Sequence, residues 1–124
     1  DHHVIYDVFV EQPAMMFRGG KTTAFTMATL QRFNGMTCYI AYKVFEMEAE
    51  LVNPLSARSV LGIKVPRGIP PKDKKRFIIE RMAERFDGSF KYEMTRQQNP
   101  QPGADDRADA LVVALAGPLL FHEE

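Results

Sequence analysis

The chain has 124 residues, 45% hydrophobic and 26% charged, the composition of an ordinary globular domain with one modest core. Its 16 basic and 16 acidic residues cancel, which argues against a protein that coats nucleic acid through bulk charge. No run of about 18 apolar residues is present and no basic-then-apolar leader opens the chain. The lone Cys38 excludes an internal disulfide and a cysteine-built zinc site, so an intracellular, reducing compartment is expected.

Val4 to Val10 reads VIYDVFV, a short β-branched and aromatic run that predicts a strand buried on both faces. Glu11 stands at its C-terminal end, and Pro13 stops it by removing a ladder donor. Residues 14–21 form a loop with Gly19 and Gly20, and Thr22 or Thr23 caps the helix that follows. That helix is expected over Ala24–Phe45, with Gly35, Cys38, Tyr39, Tyr42 and Phe45 at helical spacing. Ala49–Val52 is a second strand candidate, and Ser56 caps a short helix through Leu61. A Gly- and Pro-rich loop leads to a helix from Pro71 to Phe86, closed by Asp87-Gly88. Phe90–Met94 reads as a short strand or an irregular segment. A last helix is expected over Asp106–Ala116, stopped by Pro118.

Strands alternating with helices imply parallel pairing. Residues 1–124 are expected to form a single domain. Two or three strands are few for a sheet covered on both faces, and a central strand needs neighbours, so further strands before Asp1 are expected.

The charge is unevenly spread. Lys64, Arg67, Lys72, Lys74, Lys75 and Arg76 crowd one stretch against Asp73, while Asp105, Asp106 and Asp109 crowd another against Arg107. Such a pairing suits a protein that grips phosphates and holds cations. Asp106 and Asp109 are three apart at a helix start and share a face. By themselves they also fit an N-cap and a first-turn acid. Glu11, at the C-terminal end of a parallel strand, lies where open α/β sheets place ligands. Together the three carboxylates can converge on Mg²⁺ or Mn²⁺, hard ions that take oxygen ligands. Two such ions about 3.5–4 Å apart stabilise the attacking and leaving oxygens of phosphodiester cleavage.

Three blocks carry a family resemblance. VFVEQPAMMFRGGKTTAFTMATLQRFNGMTCYIAY resembles the second block of RuvC-type Holliday-junction resolvases, a strand-end Glu, a junction-entering loop and a long helix. NPLSARSVLGIKVPRG with the lysines after it resembles the middle block, and DDRADALVVALA the closing D-x-x-D-A-L helix. Phage-type and organellar relatives are the nearer likeness. The resemblance implies an RNase H-like mixed sheet flanked by helices, with Glu11, Asp106 and Asp109 as catalytic metal ligands and Asp105 outside the motif. It also implies a homodimer that cuts four-way DNA junctions, in cytoplasm, nucleoid, an organelle or a phage-infected host. Lys74 or Lys75 would border the DNA and shield transition-state charge, with a plain solvated helix face as the equal alternative. Phe17, Arg18, Lys21, Lys64, Arg67 and Lys72 would meet DNA, with Met15, Met16 and Phe17 forming an apolar wedge; folding of that loop onto the core is the plainer alternative. The family's first-strand Asp has no counterpart here, since Asp7 lies in the Glu11 strand. A catalytically inactive branched-DNA-binding module and another RNase H-like nuclease, on hybrids or in an RNA-guided effector, are the rival expectations. The Asp1-His2-His3 tripeptide has no second motif to complete a site.

Overall fold

The computed structural model describes residues 4–13 and 23–121. The elements run β1 (Phe9–Glu11), α1 (Ala24–Phe45), β2 (Glu50–Val52), α2 (Pro54–Val60), α3 (Pro71–Phe86) and α4 (Ala104–Phe121). They divide into two compact units, residues 1–53 and 54–124.

In the first unit β1 and β2 pair in parallel, with Phe9 opposite Glu50, Val10 opposite Leu51 and Glu11 opposite Val52. Two further bonds extend the ladder, Glu50 N–H to the Val8 carbonyl at 2.9 Å and Gln12 N–H to the Val52 carbonyl at 2.8 Å. The crossover is α1. Thr23 caps it, its hydroxyl accepting from the Thr26 amide at 3.1 Å. It ends at Glu46, which takes the left-handed conformation (φ 57°) while its amide bonds the Tyr42 carbonyl. Asn34, in mid-helix, donates from Nδ2 to the Glu11 carbonyl at 2.9 Å and ties helix to strand.

In the second unit α4 packs against both α2 and α3. Ala104, Ala108, Val112, Val113 and Ala116 form its buried stripe, and Ala57, Ile78, Ile79 and Met82 meet it from the other helices. Small residues on α4 allow close helix approach. Pro71 opens α3 at a position where the missing amide costs nothing, and Asp87 closes it at φ 44°.

Three expectations are corrected. An RNase H-like mixed sheet is not what these residues form: four helices and one two-stranded parallel ladder make up the described chain. The reason is that a strand exists only where a partner supplies a ladder. Val4, Ile5 and Tyr6 have strand-forming side chains yet stay exposed and outside the pairing. In the parallel register Val4, Ile5 and Tyr6 would fall opposite Phe45, Glu46 and Met47, where α1 and its left-handed cap end, so the ladder cannot extend towards them. Phe90–Met94 is irregular, with one isolated bridge from Met94 to Pro100. The second correction is at α4, which begins at Ala104 and runs through Pro118 to Phe121. Pro118 forfeits one helical hydrogen bond, but the buried Val112, Val113, Ala116 and Gly117 hold the helix on its neighbours across that point. The short helix likewise starts at Pro54 rather than after Ser56. No helix among the described residues is long and apolar enough to cross a membrane.

Candidate functional site

The carboxylates of the second unit owe their placing to the stripe beside them. Ala104 and Ala108 are buried at the start of α4, and Asp105 and Asp109 each follow by one position. That puts both carboxylates one helical turn apart on one face, half-buried at the edge of the core. Asp106 is exposed. The burial of Ala104 and Ala108 therefore makes Asp105, not Asp106, the partner of Asp109 in a shared pocket.

The pocket has a volume of ≈ 300 Å³ and is built by α2, the 61–70 loop, α3 and α4. Leu55, Val65, Pro66 and Ile78 give it an apolar lining, while Arg58, Arg67, Lys74 and Lys75 bring four cations to Asp105 and Asp109. Arg58 approaches Asp109 at 3.8 Å and Lys75 approaches Asp105 at 3.4 Å. Both are loose, partly solvated pairs, so each adds little to stability. Burial pushes the Asp109 carboxyl above the usual carboxylate range; Arg58 opposes this, Asp105 and Asp106 reinforce it, and Lys75 opposes it. Burial thus favours the protonated form of Asp109 over its carboxylate.

Asp105 and Asp109 suit a hard divalent ion. Mg²⁺ is commonly held by one or two carboxylates plus substrate phosphates, keeping several waters. Among the described residues no group of three or more His, Cys, Asp or Glu side chains converges, so the donor set present is this pair. When bound there, such an ion would polarise a phosphoryl oxygen and activate water. Of the cations lining the pocket, Arg58 and Arg67 have the fork geometry that can chelate phosphate oxygens, and Lys74 and Lys75 can act as point charges.

The other expected site residues are distributed as follows. Glu11 lies at the end of β1 in the first unit, with its carbonyl bonded by Asn34. Lys64 is an exposed loop residue after α2. Lys72 lines a neighbouring concavity of ≈ 400 Å³, which also reaches Lys75 and Asp105. Phe17, Arg18 and Lys21, with Met15 and Met16, fall outside the described residues, as do His2, His3 and His122. Sequence reasoning missed Arg58 and set Asp105 aside. The available signal was the position of both acids one residue after a buried alanine. No protein-family model, curated protein or solved structure matches the chain.

Proposed function

We propose that the chain is a metal-assisted endonuclease that cleaves branched DNA, four-way junctions above all, as a homodimer using Mg²⁺ or Mn²⁺. One observation carries this: Asp105 and Asp109 share a pocket with Arg58, Arg67, Lys74 and Lys75. A phosphodiester needs a cationic clamp for its oxygens and a carboxylate-held ion for its leaving and attacking groups, and both kinds of donor meet there. The order of the blocks along the chain, strand-end Glu11, basic helix start and acidic helix start, supports the same reading. Asp106, exposed next to Asp105 in the first turn of α4, remains a candidate ligand. The homodimer is supported by α1, where Phe25, Phe33, Met36, Ile40 and Val44 are exposed and fall along one stripe.

The test compares a four-way junction, a linear duplex and an RNA–DNA hybrid, each with Mg²⁺, Mn²⁺ or chelator. Junction cleavage that needs metal and disappears in Asp109→Asn, with junction binding kept, supports the proposal. Metal-dependent binding without cutting points instead to a branched-DNA-binding module, and preferential cutting of the hybrid points to a different nuclease.

A further inference from the structure

The concave surface around the start of α4 does not end at the Asp105–Asp109 pocket. That pocket shares Lys75 and Asp105 with the concavity that Lys72 and Arg76 line. The latter shares Gln101 and Pro102 with a wide groove of ≈ 870 Å³ between residues 90–93 and the first turn of α4. Through these shared residues the three concavities adjoin one another around the start of α4, a stepped track. Its first part is lined by more cations than carboxylates. Its last part is of another character, because it carries aromatic rings.

There Phe90 and Tyr92 lie with ring centroids 5.9 Å apart and planes tilted by 36°. The Arg107 guanidinium sits over Phe90, 5.1 Å from the ring centroid. Arg107 also donates to the Lys91 carbonyl, which fixes the guanidinium to the same segment. Among the described residues no carboxylate forms an ion pair with Arg107. Glu93 is the carboxylate on this groove and offers an acceptor for an amino group. Asp105 and Arg107 are two positions apart on α4 and so face opposite flanks of the helix start. A chain leaving the Asp105–Asp109 pocket would cross that helix end, roughly 10 Å wide, to reach the rings.

We propose that this track binds an unpaired DNA strand, with phosphates along the lysine–arginine stretch and a base stacked on the platform of Phe90, Tyr92 and Arg107. The proposal rests on the nucleic-acid reading of the neighbouring pocket and extends it to the single strand beside a branch. A basic groove that ends on aromatic rings is how proteins hold single strands with little sequence preference, because every base has a π face. The guanidinium adds a planar cation on which a base can stack. A duplex keeps its bases in its own stack and cannot use the platform.

The test is fluorescence anisotropy of a labelled oligodeoxythymidine and of a blunt duplex of equal length, in chelator, with wild type, Arg107→Lys and Tyr92→Ala. Arg107→Lys keeps the charge and removes the planar fork, so a purely electrostatic contact would survive it. Both variants should weaken oligothymidine binding by about tenfold, the loss of one stacked base, and change duplex binding less than twofold. Oligothymidine carrying iododeoxyuridine should photocross-link within residues 90–93. Unchanged oligothymidine affinity in Arg107→Lys, or cross-links that map elsewhere, would overturn the proposal. Melting curves that match wild type keep a loss of binding from being a loss of fold. If no junction is ever cut but oligothymidine binding depends on Arg107, the nuclease reading fails and the platform stands; junction cutting with wild-type strand binding in Arg107→Lys gives the reverse.

Discussion

Asp109 is where burial, charge and chemistry meet. Its carboxyl is raised because folding removes part of its water, and the nearby Arg58 does not fully offset that loss. The folded state therefore holds its proton more tightly than the unfolded chain, whose ordinary value is 3.8. Above the folded value the group is charged in both states and the folded one bears the cost; below the unfolded value it is protonated in both and the cost is gone. Above the folded value Asp109→Asn should thus melt at a higher temperature than wild type, with the difference shrinking as pH falls through the folded value towards the unfolded one. Parallel thermal melts across that window check it. A cation at Asp105 and Asp109 reverses the sign: Mg²⁺ should raise the melting temperature of wild type and leave Asp109→Asn unmoved. The D-x-x-D was legible as an acidic helix start. Which two carboxylates share a pocket was not, because Asp105 and Asp106 both lie within about a turn of Asp109 and the packing of Ala104 and Ala108 decides which of them flanks it.

At the scale of elements, the helices were legible and the sheet was not. α1 and α3 announce themselves by local rules, a threonine cap, a first-turn proline and 3.6-residue spacing, and appear where those rules put them. A strand depends on a partner far along the chain, and VIYDVFV shows strand-forming side chains without the means to pair all of them. α4 extended past Pro118 because packing of Val112, Val113 and Ala116 outweighs a local preference. Two predictions belong here. Met82 is fully buried among the helices of the second unit, so Met82→Ala should cost about 2–5 kcal/mol, read as a shift in the denaturation midpoint. Phe33, Met36 and Ile40 are exposed along one side of α1, so a Met36→Glu, Ile40→Glu double variant should sediment as a monomer if wild type sediments as a dimer. A dimer that persists in the double variant would remove α1 from the interface.

For the whole molecule, zero net charge conceals a local division of labour. Cations gather at the 58–76 stretch and carboxylates at the start of α4, and the fold of the second unit sets them around one pocket. Binding to a four-way junction should accordingly depend steeply on salt despite neutrality. Four phosphates held by Arg58, Arg67, Lys74 and Lys75 give a log–log slope of roughly −4, and Lys74→Ala should reduce its magnitude by about one. The central claim is the joint use of Asp109 and a divalent ion on a phosphodiester. It is tested most directly by incubating a labelled four-way junction with wild type and Asp109→Asn, in Mg²⁺ and in chelator, and resolving the products. Cleavage by wild type in Mg²⁺ alone, with none by Asp109→Asn at equal junction binding, is the predicted result. Cleavage by Asp109→Asn at the wild-type rate, or by wild type in chelator, would contradict it.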